Sequence, residues 1–319
     1  MVAPYLRKSN QVQMSNSLRI IFMGTPEFAV PSLQRLVESN SNVVAVVTVP
    51  DKPTGRGQKL TASPVKLYAQ EKGIPVLQPE KLKNPEFLEE LRSYHADLQV
   101  VVAFRMLPEV VWGMPSKGTF NLHSSLLPQY RGAAPINWAV INGDSETGVT
   151  TFFIEKNIDT GKIIFQEKEH IHADDDAGAV HDRLMELGAE LVLKTVRAIE
   201  AGNYPQEPQQ DSDDLKAAPK IFRETCQIDW TLPGEQIHNF VRGLSPYPAA
   251  WTTLNGLSCK IYKTAPSDFA EEAQPGEFRT DNKTYLNFKT GDSWLSILDL
   301  QMEGKKRMNV VDFLRGNRL

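Results

Sequence analysis

The sequence is poor in the features that tie a protein's chemistry to sulfur or metal. Its two cysteines, Cys226 and Cys259, lie far apart and have no Cys or His companion at ligand spacing. Neither a zinc site nor a disulfide is expected, and both thiols read as free and reduced. No uninterrupted apolar run approaches the roughly 20 residues that a membrane helix needs, and the N-terminus lacks the apolar stretch of a signal peptide. A cytoplasmic protein with no membrane partner is therefore expected. The first apolar strand ends on a single glycine, Gly24, without the G-x-G-x-x-G spacing, so there is no ground for a dinucleotide. Net positive charge is missing too: the formal balance of −4 excludes a generally basic nucleic-acid binder.

The basic residues that are present are gathered in places. Residues 51–66 hold Lys52, Arg56, Lys59 and Lys66 against one acid, a local +3. Residues 305–319 hold Lys305, Lys306, Arg307, Arg315 and Arg318 against Asp312, a local +4. Such patches on a mildly acidic body suit a selective, transient contact with RNA, although a solvated face is the plainer reading of either alone.

A chain of 319 residues with 41% apolar content predicts two domains. Residues 1–17 are polar and patternless and read as a disordered extension, with Met14 as an alternative initiator. Then come an apolar strand (18–23), a segment of helical spacing (28–37) and a second apolar strand (43–49), the signature of a buried parallel sheet. The basic loop 50–63 follows at the carboxyl end of that sheet, where open α/β folds bind ligands, and its glycines at 55 and 57 predict mobility. Helices over 64–71 and 85–94 and strands over 75–78, 97–104, 149–154 and 162–171 continue the pattern. Asp174-Asp-Asp176 caps a helix whose stripe is Val180, Leu184, Leu187, Leu191 and Ile199. His170, His172 and His181 straddle a strand end and a helix start with no shared face, so no metal is expected there. The first domain is set at 18–202, and the Pro, Gln and Asp of 203–220 read as a linker across the surface. A helix near 234–242 and short strands with frequent turns predict a small β-barrel over 221–319. Trp230 and Trp251 are read as core.

The chemistry is expected in the run Gly118-Thr-Phe-Asn-Leu-His-Ser-Ser-Leu-Leu-Pro-Gln-Tyr-Arg-Gly132. In an extended strand Asn121 and His123 share one face while Phe120 and Leu122 point inward. The turn Ser125-Leu126-Leu127-Pro128 sets apolar side chains beside them, and Arg131-Gly-Ala-Ala-Pro135 opens a helix. About thirty residues on, Asn157-Ile-Asp-Thr-Gly161 brings Asp159 on another loop. Asn, His and Asp on neighbouring segments can polarise a carbonyl, stabilise an oxyanion and move a proton.

These motifs, together with Met23-Gly-Thr-Pro-Glu-Phe28 and the loop Pro50-Asp-Lys-Pro-Thr-Gly-Arg-Gly57, resemble the tetrahydrofolate-dependent formyltransferase family from about Leu18 to the C-terminus. The resemblance implies an α/β fold, with a Rossmann-like, mostly parallel sheet followed by an OB-like domain that binds tRNA. It implies 10-formyltetrahydrofolate as donor and the α-amino group of methionyl initiator tRNA as acceptor, in a monomeric enzyme. Asn121 and a protonated His123 would hold the oxyanion, while Asp159 would orient His123 or keep it charged and relay the proton. Ser125, Leu126, Leu127 and Pro128 would form part of the folate site, and Arg56 and Lys59 would reach the tRNA. The loop reads Gly57-Gln58-Lys59 where many relatives carry another basic residue. An amino sugar nucleotide is the alternative acceptor. A folate- or RNA-binding module without turnover is the alternative outside enzymes, and the intact Asn121, His123 and Asp159 set disfavours it.

Overall fold

The structure is a computed structural model that describes residues 17–54 and 59–319. The expected disorder of the N-terminal extension, apart from Ser17, and the tip of the basic loop with Arg56 lie outside the described residues.

Seven strands form one sheet, in the order Ile163–His170, Glu146–Phe153, Thr119–His123, Leu98–Val102, Ile20–Gly24, Val43–Val47, Val76–Leu77. The last five are mutually parallel, Glu146–Phe153 runs antiparallel to Thr119–His123, and Ile163–His170 runs antiparallel to Glu146–Phe153. Near-continuous runs of apolar residues make Ile20–Gly24, Val43–Val47 and Leu98–Val102 because both faces of the sheet are covered there, whereas the edge strand Ile163–His170 alternates. Ile20, Phe22, Val100, Val102, Phe120 and Leu122 pack against the helices Val30–Glu38, Pro135–Ile141 and Ala177–Glu200. Ile21, Met23, Ala45, Val47 and Val101 pack against Phe87, Leu91 and Val111 on the opposite side. Each of these side chains larger than alanine, fully buried, contributes about 1.5–3 kcal/mol, so the strand ends are firmly placed. Asp176 caps the long helix by accepting from the Ala179 amide at 2.9 Å.

From Ile20–Gly24 the chain builds first to one side and then, at Leu98–Val102, to the other. That reversal opens a crevice beyond the carboxyl ends of the two strands, where sheets of this kind take ligands. Gly24 serves packing there, since a Cβ would lie 2.8 Å from that of Ala29 and 3.0 Å from the Val102 oxygen.

The basic segment is a short hairpin in which Lys52–Thr54 pairs with Lys59–Thr61. Lys66 belongs to a different arrangement: its Nζ donates to Asp51 at 2.7 Å, and Gln78 donates to the same carboxylate at 2.8 Å. These bonds, Lys66 first, hold the Asp51 carboxyl below its ordinary range.

The C-terminal unit has its own core, in which Trp230 stacks on Phe288 at 4.5 Å. Its antiparallel strands run in the order Ala250–Leu254, Leu257–Ser267, Trp294–Met302, Leu286–Lys289, Phe278–Thr280, with Met308–Asn309 also on Trp294–Met302. Register shifts near Ile261 and Lys263 curl the sheet. The barrel expected from the turn rhythm is thus a half-barrel of OB-like character, and among the described residues no ladder joins its two edges. Helix Gly234–Leu244 lies between this sheet and helix Pro135–Ile141. The approach needs Gly243, where a Cβ would come within 2.5 Å of Ile141, and Asn137 donates to the Gly243 carbonyl at 2.8 Å.

Two polar segments carry structural contacts as well. The 305–319 patch is partly structural: helix Val310–Gly316 buries Phe313 and Leu314, Arg307 pairs with Asp299 at 2.6 Å, and Arg315 pairs with Asp312 at 2.9 Å. Lys305, Lys306 and Arg318 stay exposed. The segment 203–220 runs across the surface and pairs with the first unit on its way. Its Glu207 bridges to Ile163, and its strand Ala217–Ala218 pairs in parallel with Arg131–Gly132. Polar composition shows that a segment avoids the core, but not that its backbone completes another strand's edge.

Candidate active site

A cavity of about 590 Å³ occupies the crevice and brings Asn121, His123 and Asp159 to one space. Alternation along Thr119–His123 does what the sequence predicts: Phe120 and Leu122 are buried in the core and the two polar side chains face the cavity. One apolar wall is the segment after Leu98–Val102, with Phe104, Met106 and Leu107, joined by Trp112; Ile154 and Ile158 form part of the other. The volume suits a drug-sized ligand, and flat apolar walls with few polar groups suit a planar heterocycle.

His123 is held by the main chain. Its Nε2 lies 2.8 Å from the Tyr130 carbonyl, and because a carbonyl only accepts, Nε2 carries a proton. Nδ1 is then the nitrogen left for a substrate. It is an acceptor when the ring is neutral and a second donor when the ring is charged. The orienting contact expected from Asp159 is made by Tyr130. Asp159 is occupied elsewhere, with its Oδ2 accepting from the Gly132 amide at 3.0 Å. A water or substrate group would be needed to bridge His123 and Asp159.

Three residues that are not glycine take left-handed backbone around this space: Ala103 (φ 46°), Tyr130 (φ 60°) and Asp159 (φ 54°). Each such placement costs on the order of 1–3 kcal/mol and persists where its surroundings dictate it. Gly132 is obligatory in a stronger sense, because at φ 131° a Cβ would lie 2.3 Å from the Ala218 oxygen. Gly161 closes the Asp159 loop with its Cβ position 1.7 Å from the Phe153 oxygen, which explains the glycine of the Asp-Thr-Gly motif.

The Ser125-Leu126-Leu127-Pro128 turn is not on the cavity wall. Its polar groups are spent locally: Thr150 donates to the Ser125 carbonyl at 2.6 Å and accepts from the Leu127 amide at 3.1 Å, while Gln166 donates to the Leu127 carbonyl at 2.9 Å. In this structure the turn buttresses the strand end that carries His123. The segment from Ala103 to Leu107 lines the cavity instead, and the strand ending Val102-Ala103 signals that position only through the topological switch.

Sequence reasoning also missed Arg105 and Tyr130. Arg105 donates from Nη1 to the Glu80 carbonyl at 2.8 Å and from Nη2 to that of Pro79, and its buried Nε has no partner. Burial lowers its pKa from the ordinary value. Tyr130 donates its hydroxyl to Asp144 at 2.5 Å, and burial, then that carboxylate, raise its pKa. His170 and His172 touch each other, whereas His181 packs on Phe28. Among the described residues no group of three His, Cys, Asp or Glu is placed to hold a metal.

A second space, of about 550 Å³, opens between the two units and shares Ala133 with the first. Its lining differs in kind. Lys220, Arg223 and Lys260 bring positive charge, and Phe222 and Tyr247 expose 54% and 82% of their surface.

Fold and pocket together define the class. Residues 18–196 match the family described as Formyl transferase, and residues 220–318 match Formyl transferase, C-terminal domain. An N-formyltransferase from Helicobacter canadensis shares the fold with a TM-score of 0.65 at 22% identity, covering 91% of this chain and 100% of that one. HypX from Aquifex aeolicus matches with a TM-score of 0.65 at 18% identity, over 95% of this chain and 48% of that one. The methionyl-tRNA formyltransferase of Parabacteroides distasonis is 57% identical over 309 residues, 94% of this chain and 95% of that one. That of Phocaeicola vulgatus is 58% identical, covering 94% and 96%. The chain belongs to the methionyl-tRNA formyltransferase family.

Proposed function

We propose that the protein transfers the formyl group of 10-formyltetrahydrofolate to the α-amino group of methionyl initiator tRNA, at the cavity that holds Asn121, His123 and Asp159. The observation that carries this reading is the shared wall at Ala133: a largely apolar cavity that holds Asn121, His123 and Asp159 opens beside a groove of cations and exposed aromatics. A small acceptor would need only the first space. A nucleic-acid acceptor uses the second for phosphates and bases.

The amine attacks the formyl carbon, charge gathers on the formyl oxygen, and the intermediate then collapses by breaking the bond from the formyl carbon to the folate nitrogen, which takes up a proton as tetrahydrofolate leaves. The Asn121 amide and His123 Nδ1–H, with Nε2 tied to Tyr130, are the donors for that oxygen; losing one such donor costs roughly 3 kcal/mol of barrier. Asp159 keeps one carboxylate oxygen on Gly132 and has the other to take the proton that the attacking amine releases. The walls from Ala103 to Leu107 and from Ile154 to Asp159 hold the pteridine. Arg105, held by the Glu80 and Pro79 carbonyls, brings a positive charge to the wall on the cosubstrate's side, and the Ser125 to Pro128 turn supports the folate site from behind. Lys59 and Arg56, in the basic segment, approach the acceptor stem with the groove residues. The enzyme acts as a monomer in the cytoplasm.

A single assay decides between acceptors. Formyl transfer is measured from 10-formyltetrahydrofolate to methionyl initiator tRNA and, separately, to a nucleotide-linked amino sugar. Turnover with the tRNA alone is expected, and turnover with the sugar alone would overturn the reading.

A further inference from the structure

The Asp159 loop is tied down by a residue that belongs to neither domain core. Gln209, in the connecting segment, donates from Nε2 to the Asp159 carbonyl at 2.9 Å and to the Gly161 carbonyl at 2.8 Å. Its Oε1 accepts from Arg131 Nε at 3.0 Å and from Nη2 at 2.8 Å. One side chain thus uses both ends of its amide to join the two motifs that frame the site. Arg131 precedes Gly132, whose amide holds the Asp159 carboxylate. The same connecting segment sends its Lys216 carbonyl to the Tyr130 amide at 2.7 Å, next to the carbonyl that fixes His123. Asp159 and Tyr130 are both in left-handed backbone, a conformation that needs support from outside their own loops.

We propose that Gln209 is a positioning residue for formyl transfer: it sets the Asp159 carboxylate by clamping that residue's loop to Arg131, and through the segment it anchors it ties the connection between the domains to the reacting geometry. The inference rests on the catalytic reading of Asp159 given above. The clamp requires an amide specifically. A carboxylate at 209 would keep the Arg131 pairing and turn repulsive oxygens towards the two loop carbonyls. An alanine would lose both sides.

The test uses the full chain and four variants, Gln209→Ala, Gln209→Glu, Asp159→Asn and the Gln209→Ala/Asp159→Asn double, with kcat, folate KM and thermal midpoint measured for each. Expected are kcat losses of roughly tenfold or more for both Gln209 variants with folate KM nearly unchanged, a Gln209→Glu midpoint close to wild type, and little further loss when Gln209→Ala is added to Asp159→Asn. Wild-type turnover in Gln209→Glu would overturn the clamp, as would a Gln209→Ala loss that multiplies in full with that of Asp159→Asn. Full activity in Asp159→Asn would bring down the catalytic reading itself, and is told apart by that variant alone.

Discussion

The cavity and the interdomain groove meet at Ala133, yet they are built on opposite plans. In the cavity two of the three candidate groups have short side chains tied to main-chain atoms: His123 to the Tyr130 carbonyl, Asp159 to the Gly132 amide. The backbone that makes those ties is itself forced, at Tyr130 and Asp159. In the groove the charged groups are longer and looser. Lys220 lies 5.4 Å from the Phe222 ring centroid, and Tyr247 stands 82% exposed. A site that must stabilise charge developing on one atom gains from donors that do not move. A surface that meets a polyanion gains from mobile cations and open ring faces, because affinity there comes from phosphate neutralisation and stacking. The contrast separates rate from affinity, and each side can be broken on its own.

The sharpest break is at the cavity. Asn121→Ala, His123→Ala and Asp159→Ala should each lower kcat by roughly 10² or more with folding intact, and combined losses should fall well short of their product, since the three act on one transition state. Single-turnover transfer rates and thermal midpoints measure this. A folded variant with near wild-type turnover would remove that residue from the machinery. Gly132→Ala comes next. Strain of about 1–3 kcal/mol at φ 131° and a clash with the Ala218 carbonyl should lower both the midpoint and kcat, because the Gly132 amide must move off Asp159. An unchanged rate alongside a lowered midpoint would make Gly132 a folding residue only.

Asn121 and Gly132 differ in how openly the amino-acid sequence declares them. The parallel strands are legible because burial on both faces leaves long apolar runs, and Asn121 and His123 are legible because a strand alternates. The glycines of Arg131-Gly132 and Asp159-Thr-Gly161 are visible as motifs, but their cause is not, since a close approach to Ala218 or Phe153 joins residues distant in sequence. Ser125 to Pro128 resembles cavity wall through adjacency alone; the hydrogen bonds to Thr150 turn it away. Gln209 is invisible among polar neighbours, because a clamp made of one amide leaves no periodicity.

The groove should answer more weakly. Lys220→Ala and Arg223→Ala are expected to raise the KM for methionyl-tRNA several-fold each, to reduce its salt dependence by about one unit of log–log slope, and to leave folate KM as it was. Arg56→Ala should do the same if the basic segment reaches the same partner. Parallel salt curves of equal height for wild type and variant would show a merely solvated cation.

The smallest effect concerns the helix on which the two units meet. His238 sits on Gly234–Leu244 with its Nδ1 2.9 Å from the Thr264 hydroxyl. Burial, then Arg242, lower its pKa below the ordinary value near 6.5, against the opposing pull of Asp174 and Glu235. Above that ordinary value the ring is neutral in folded and unfolded chains alike and contributes no pH dependence. As pH falls through it, the unfolded chain takes up a proton that the folded chain resists, so stability declines until the depressed folded pKa is passed. His238→Gln keeps a partner for Thr264 and removes this titration. Its thermal midpoint should match wild type at pH 8 and exceed it modestly at pH 5, while kcat at pH 8 stays the same because the cavity geometry does not involve this helix face. Equal midpoint losses on acidification in both proteins would mean that the acid sensitivity lies elsewhere, and a kcat loss at pH 8 would mean that the contact between the units reaches the cavity after all.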